Sequence, residues 1–289
     1  MKTGLVLAGG GAKGSFQAEV VRLLEKQGFE WDAIAGVSTG ALNGSVVAQD
    51  RTSKLREIWD ETRREDVWET GILRYLRVAA GMENGLYNPR PLFRTLQDVF
   101  DPNDVVTKFR SGAVDIDTGE YVGYEIDPEE SYDDREAEKA RRYVLASSAI
   151  PVFVEPVWVS PERPQMVDGG VRNITPMKDV IEMSDLDRIV VVVNSILDRG
   201  VQTRANNVID VLGSTISTLL NEIVREDVSQ AVKVNDVVRR CEDVDEIDYY
   251  NIDVIEPTKP LGSTRNFSVK AAGRRRRIAK KTVAQRNRA

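Results

Sequence analysis

Histidine is absent from all 289 residues. A Ser-His-Asp triad uses imidazole to take the serine proton, so that arrangement is excluded from the outset. A nucleophilic serine here must draw on a carboxylate, a lysine or the N-terminal amine as its base. Cysteine is almost absent: Cys241 stands alone, which excludes an internal disulfide and fits a reducing compartment. No apolar run approaches the roughly 18 residues of a membrane span, and Ile189 to Val193 is among the longest. The N-terminal stretch carries one lysine and runs straight into Gly9-Gly10-Gly11, which is not the layout of a signal peptide. The expected location is cytoplasmic, with peripheral contact at a membrane suggested by the charge pattern below.

What is present describes a globular protein with a substantial core. Hydrophobic residues make up 41% and charged residues 30%, in a chain long enough for one large domain or two small ones. The charges are unevenly spread. Nine of the 40 Lys and Arg lie in residues 270–289, which hold no acid; with 46 acids overall, the rest carries −15 although the net charge is −6. An acidic body, residues 1–269, with a basic C-terminal segment, residues 270–289, implies that the end touches something anionic. Val269, Ala272, Ile278, Ala279 and Val283 form a weak apolar stripe, so the segment reads as a terminal helix or a tail. An anionic membrane is the expected partner, since each Lys or Arg near such a surface contributes roughly 1 kcal/mol. No specific nucleic acid is expected, although such charge attracts any polyanion.

The residues that carry chemistry begin at Gly36-Val37-Ser38-Thr39-Gly40. Trp31 to Ala35 before them is strand-like, and the small residues Ala41 to Ala48 after them suit a helix. Strand, G-x-S-x-G, helix is the context that holds a serine on a tight turn with its hydroxyl exposed. An ordinary Ser/Thr/Gly turn is the bland alternative. Upstream, Lys2 to Ala8 reads as a first strand that delivers Gly9-Gly10-Gly11-Ala12-Lys13-Gly14. Phe16, Val20, Leu23 and Leu24 then mark one face of a helix that Gly28 stops. A right-handed crossover makes the two strands parallel, with the glycine loop and Ser38 at adjacent carboxyl ends, where ligands bind in open α/β sheets. The loop satisfies G-x-G-x-x-G and Asp32 lies at the distance of a ribose-binding acid, so a nucleotide-binding module using Gly9 to Gly14 competes. The favoured reading is that the amides of Gly9, Gly10 and Gly11 bind a developing oxyanion beside Ser38.

Further along, Ser53 can cap a helix through Asp66, Thr70 to Asn88 reads as helix or apolar flap, and Pro91 opens a helix through Phe100. A hairpin pairs Val114-Asp115-Ile116-Asp117 with Tyr121-Val122-Gly123-Tyr124. Gly119 and Glu120 follow too early for Asp115 and Asp117 to form a calcium loop. Ala137 to Ala146 is helical, Gln165 to Val167 a short strand and Ile189 to Asn194 a buried parallel strand. Ala205 to Arg240 reads as two helices and Ile247 to Ile255 as a last strand. The short strand delivers Asp168-Gly169-Gly170. That is either a surface turn or the missing base, since two glycines let a carboxylate sit in a crowded pocket.

With these residues in view, the chain resembles the patatin-like phospholipase family. Gly9 to Gly14, with Lys13 in the fifth place, matches the family's glycine box, and Gly36 to Gly40 matches its serine elbow. Ala146-Ser147-Ser148-Ala149-Ile150-Pro151 is similar to the segment that crosses behind its active site, and Asp168-Gly169-Gly170 matches its D-G-G/A box. The likeness covers roughly residues 4–194, and Phe267 to Gly273 more weakly. It implies an α/β fold, a three-layer α/β/α sandwich with a mainly parallel central sheet, and an acyl hydrolase domain over residues 1–269. It further implies a Ser38–Asp168 dyad with Ser38 as nucleophile and Asp168 as proton acceptor, and an oxyanion hole of glycine-box amides. Lys13, Gly14, Gly36, Gly40, Gly169 and Gly170 are supporting motif positions. The implied substrates are phospholipids or other acyl esters, with no metal and no organic cofactor. A thioesterase or small-ester hydrolase using the same dyad is the alternative.

Such a dyad meets a physical difficulty. A free Asp titrates near ~3.9 and a free His near ~6.5, so Asp is the weaker base by roughly 3.5 kcal/mol. Burial raises a carboxylate's pKa and narrows the gap, so the dyad requires a desolvated Asp168 within hydrogen-bond reach of Ser38.

Overall fold

The computed structural model describes residues 1–69, 71–197, 207–240 and 250–287. Thr70, Ala205, Cys241, Ile247 and Arg288 lie outside the described residues. Seven strands among the described residues form one sheet: β1 (Thr3–Leu7), β2 (Ala33–Val37), β3 (Lys108–Asp115), β4 (Tyr121–Ile126), β5 (Met166–Asp168), β6 (Arg188–Val192) and β7 (Asn251–Ile255). Their order is β4-β3-β2-β1-β6-β7, with β5 paired to β3 as well. From β3 to β7 along that order all neighbours are parallel, while β4 and β5 run antiparallel to β3.

Parallel neighbours need long crossovers, and the helices supply them. These are α1 (Gly14–Glu25), α2 (Thr39–Val47), α3 (Thr52–Glu61), α4 (Arg64–Val67), α5 (Ile72–Ala79), α6 (Arg90–Val99), α7 (Asp134–Ala146), α8 (Met177–Met183), α9 (Val208–Arg240) and α10 (Val269–Arg286). Along β1, Leu5 and Leu7 join a core with residues of α1, α2, α7 and α10; Val6 and its neighbour Ala8 join another with α8 and α9. β6 divides in the same way, Val190 and Val192 to one side, Ile189 and Val191 to the other. Alternate side chains point to opposite faces of a strand and both faces here are dry, which is why these strands are apolar throughout. The result is the three-layer α/β/α sandwich with a mainly parallel sheet.

Several elements differ from expectation. The helix after Arg51 is not capped by Ser53; its N-cap is Arg51, with no side-chain cap. It stops at Glu61 rather than Asp66, because Thr62 turns extended and donates both its amide (2.8 Å) and its hydroxyl (2.6 Å) to the Ile58 carbonyl. α9 is one helix of 33 residues, not two. It contains no proline, and Leu220, Val224 and Val228 keep one apolar face toward the sheet. Within the stretch Thr70 to Asn88, α5 is a helix that leaves Leu73 and Leu76 exposed. The basic end is a helix too. α10 is capped by Ser268, whose Oγ accepts from the Ala271 amide at 3.3 Å, and it packs on α1 and α3. Ala272, Ile278, Ala279 and Val283 are buried there, whereas Val269 is exposed. No helix among the described residues is long and apolar enough to cross a membrane.

Candidate active site

One edge of β3 pairs with β4 along most of its length, so β2 and β5 share the other edge. β2 runs parallel to β3 and ends with Val37 opposite Gly112; β5 runs the other way and ends with Asp168 opposite Ala113. The carboxyl ends of these two strands therefore meet head to head. Ser38, the residue after β2, and Asp168, the last of β5, are brought together by consecutive positions of a third strand.

Ser38 sits at φ 58° and ψ −129°, with α2 starting at the next residue. A non-glycine residue held at positive φ stores roughly 1–3 kcal/mol of strain and persists only where its surroundings over-determine it. Here they do. A Cβ on Gly40 would strike the Leu7 carbonyl, and one on Gly36 would strike the Gly40 carbonyl, so the elbow presses directly on β1 and on itself. The Ser38 amide donates to Ser147 Oγ at 2.9 Å, and that hydroxyl donates onward to the Gly112 carbonyl at 2.5 Å. Two residues later the Ala149 carbonyl accepts from the Asp168 amide at 2.9 Å. Ser147 to Ala149 thus braces the strand that delivers Ser38 and the strand that delivers Asp168 at once. Ser147 is fully buried.

Asp168 is 3% exposed and no cation pairs with it among the described residues. Burial pushes its carboxyl up to about 7, with the Ser38 hydroxyl and the Gly170 amide offsetting part of that rise. Oδ1 accepts from Gly170 at 2.8 Å. Oδ2 is buried without a hydrogen bond of good geometry, although the Ser38 hydroxyl is near enough to favour the ionised form. The pair faces across a contact left open, as is common before substrate binds.

The glycine loop presents a selected set of amides. The Gly9 amide is engaged by the Ile174 carbonyl at 3.3 Å, and the Ala12 amide by Thr264 at 2.8 Å; those of Gly10 and Gly11 make no hydrogen bond among the described residues. Asn194 Nδ2 holds the carbonyls of Ala8 (3.0 Å) and Gly9 (3.2 Å), and Gln17 Nε2 holds Ala8 as well (3.1 Å). A trans peptide points its N–H opposite its C=O. Pinning the Gly9 carbonyl on Asn194 therefore turns the Gly10 amide away from Asn194. A side chain at Gly10 is barred, since its Cβ would lie 2.6 Å from Asn194.

Two cavities meet at Ser38. One is bounded by the glycine loop, Lys13, Asp168, Asn194, Arg265 and one face of α9. The other runs between α2, α3 and α6 and is walled by Leu42, Val46, Leu55, Ile58, Leu92 and Leu96. Gly11, Trp68 and Ile150 touch both.

Of the supporting motif positions, Gly14 abuts Thr39 Oγ1, Gly169 abuts the Gly112 carbonyl, and Lys13 lines the first cavity. Asp32 lies at the opposite end of the sheet. It precedes β2, and its Oδ2 accepts from the Thr3 amide at 2.7 Å. The nucleotide reading loses its ribose-binding acid, because such an acid belongs at the carboxyl end of the second strand. Sequence reasoning missed Ser147, Gln17, Asn194 and Thr264 as supports.

The model of the family described as patatin-like phospholipase matches residues 5–181. Lysophospholipase nte1 of Aspergillus terreus is 51% identical over 47 residues, 16% of this chain and 3% of that protein. Neuropathy target esterase sws of Drosophila sechellia is 32% identical over 102 residues, 34% of this chain and 6% of that protein. The uncharacterized protein YqhO of Bacillus subtilis is 26% identical over 187 residues, 60% of this chain and 64% of that one. The chain thus spans a small fraction of the first two relatives and just under two thirds of the third. The crystal structure of VipD from Legionella pneumophila is similar at a TM-score of 0.43 and 13% identity, covering 97% of this chain and 67% of that one.

Proposed function

The chain belongs to the patatin-like phospholipase family, and from that premise we propose that it hydrolyses fatty-acyl esters of phospholipids or related lipids through a Ser38–Asp168 dyad. The observation that carries the proposal is the state of Asp168: buried, unpaired by any cation among the described residues, head to head with a strained serine, and raised to about 7. A base poised near the working pH combines a useful ionised fraction with adequate driving force.

In this reading ionised Asp168 takes the proton of Ser38 as Oγ attacks the ester carbonyl. The oxyanion is met by the amides of Gly10 and Gly11, with that of Thr39 at the start of α2 as a third donor. Gly9 acts through the shape of the loop, since its own amide is engaged. Protonated Asp168 then returns the proton to the leaving alcohol, giving an acyl-enzyme. Water, deprotonated by the same carboxylate, releases the fatty acid. No step draws on a metal or an organic cofactor.

Exposed Lys270, Arg274, Arg277 and Lys281 recur along one stripe of α10, and this stripe supports peripheral contact with an anionic membrane. Arg275, Arg276 and Arg286 are engaged by protein partners. The test combines a fluorophosphonate probe with mixed phospholipid vesicles. Ser38 is expected to be labelled, with fatty acid and lysolipid released, and Ser38→Ala to abolish both. Labelling that survives Ser38→Ala refutes the proposal. Glutamate at the four exposed stripe positions is expected to weaken vesicle binding at low salt.

A further inference from the structure

Arg275 of α10 is 1% exposed, and no acid pairs with it among the described residues. Its guanidinium is wrapped in backbone carbonyls instead. Three belong to the stretch before α10, Leu261 (3.1 Å), Ser263 (2.8 Å) and Asn266 (3.0 Å), and the fourth is that of Ala12 in the glycine loop (2.6 Å). A cation taken out of water with only dipoles around it costs stability, and an apolar side chain would fill the same place without that cost. Departures of this kind gather at functional sites. The loop is gripped on its other side as well. The Ala12 amide donates to the Thr264 carbonyl at 2.8 Å, and a Cβ on Gly11, at φ 56°, would lie 2.6 Å from that oxygen. Residues 261–266, which Arg275 gathers around itself, therefore close directly on the glycine loop. Ser15 Oγ adds a longer bond, 3.2 Å, to the Ala12 carbonyl.

The bond to Ala12 heads a chain of peptide dipoles. The Ala12 carbonyl and the Lys13 amide belong to one peptide group, and the Lys13 amide donates to the Gly10 carbonyl at 3.3 Å. That carbonyl shares its peptide group with the Gly11 amide, which makes no hydrogen bond among the described residues. A trans peptide points its N–H opposite its C=O, so each group hands the polarisation of one bond to the next in the same sense. The order is guanidinium, Ala12–Lys13 peptide, Gly10–Gly11 peptide, and the open end is the N–H of Gly11. Gly11 lines both cavities that meet at Ser38. Hydrogen bonds in such a chain strengthen one another by roughly 10–30% each, and a buried positive charge at its head drives them all one way.

Resting on the ester-hydrolase reading, we infer that Arg275 is a positioning residue of the oxyanion hole. It touches neither substrate nor Ser38 and acts through two peptide groups. It fixes the direction of the Gly11 N–H and makes that N–H a stronger donor to the negative oxygen of the tetrahedral intermediate. The family model matches residues 5–181, so a helix well beyond that match completes the site.

The test compares 4-nitrophenyl octanoate with its thiono counterpart, in which sulfur replaces the carbonyl oxygen. Sulfur accepts hydrogen bonds poorly, so an oxyanion hole favours the oxygen ester. Losing one oxyanion donor costs about 10²–10³ in kcat, and weakening one costs less. Arg275→Gln is expected to lower kcat on the oxygen ester roughly tenfold, with KM little changed, and to lower the oxygen-to-sulfur ratio of kcat by a similar factor. Arg275→Lys keeps the charge but not the fan of bonds, and is expected to recover part of that ratio. Arg276 pairs with Asp60 at 2.6 Å, away from the loop, and Arg276→Gln is expected to leave the ratio unchanged. Equal loss on both esters, or a change in KM alone, reduces Arg275 to packing and overturns the inference.

The wild type offers a second readout that requires no variant to fold. In a trifluoromethyl ketone with an octyl chain, Ser38 Oγ adds to the carbonyl carbon, its proton passes to Asp168, and the carbonyl oxygen keeps the negative charge. Amide NMR is expected to show the Gly11 proton moving downfield as this adduct forms, with the Lys13 proton following in the same direction. A Gly11 proton that stays in place, or one that moves without Lys13, overturns the relay. If the wild type neither hydrolyses the oxygen ester nor takes a fluorophosphonate at Ser38, the hydrolase reading fails first and the relay falls with it.

Discussion

Two aspartates stand nearly equally buried on neighbouring strands, and their carboxyls behave in opposite ways. Asp115 on β3 is 2% exposed and Asp168 on β5 is 3% exposed, with Asp168 paired to Ala113 of the same β3. Burial pushes Asp115 up, but Arg163 at 2.9 Å and the amides of Asp117 and Thr118 outweigh it and hold the carboxyl below its usual range. Asp168 is as little exposed but lies far deeper among protein atoms, with an amide, a hydroxyl and no cation beside it among the described residues, and it rises to about 7. Low surface exposure alone therefore does not raise a carboxyl. Deep desolvation with no counter-charge does, because a neighbouring guanidinium would stabilise the ionised form and leave the proposed base too weak to accept a serine proton.

Asp168→Asn breaks the comparison most severely. Turnover of an ester is expected to fall by about 10³-fold, the scale of losing a general base, with fluorophosphonate labelling of Ser38 lost alongside. Near wild-type turnover would place the base elsewhere. In the wild type kcat/KM should rise through pH about 7, because in the proposed dyad only ionised Asp168 accepts the proton. Stability carries the opposite signature. The folded pKa lies above the unfolded one, so stability present below about pH 4 is lost as pH rises toward 7. Melting curves at pH 4.5 and pH 8 should show Asp168→Asn gaining on the wild type at the higher pH, by up to a few kcal/mol.

Arg163→Met turns Asp115 into a second unpaired buried carboxylate. Arg163 is partly exposed, so the expected cost at pH 7 is about 1–3 kcal/mol, below that of breaking a fully buried pair. Asp115 has a depressed folded pKa, so its contribution is present above the unfolded value and lost on acidification through the folded one. The variant's deficit in urea denaturation should accordingly shrink between pH 5 and pH 3. A deficit independent of pH would show that Arg163 acts through packing alone.

Ser147→Ala sharpens the comparison from the other side, since it leaves both aspartates in place and removes only the brace between Ser38 and Gly112. The expected loss is about tenfold in kcat with KM little changed, corresponding to about 1.4 kcal/mol of lost positioning. A change confined to KM would assign Ser147 to substrate binding instead.

Legibility followed the reach of the interactions. The glycine box and the serine elbow are contiguous strand-turn-helix units whose residues act on their own neighbours. The capping box of α7, Asp133 with Glu136, is equally local, yet the predicted start at Ala137 came three residues later than Asp134. α9 was divided in expectation because its charged and apolar residues alternate; with no proline to end it, packing against the sheet carried it through as one helix. The partners that order the site lie far off in sequence: Ser147 is 109 residues from Ser38, Asn194 185 from Gly9, and Arg275 263 from Ala12.

The amino-acid sequence by itself determined that imidazole chemistry is impossible here, that a strand delivers Ser38 and another Asp168, and that the first two strands run parallel. Composition and short-range pattern suffice for each. Tertiary structure alone decided that the ends of β2 and β5 meet on consecutive positions of β3, that among the described residues Asp168 has no cation beside it while Asp115 has one, and that Arg275 enters the fold behind the glycine loop. Those outcomes depend on which distant surfaces share a dry interior, and a carboxylate's strength is set by what packs around it.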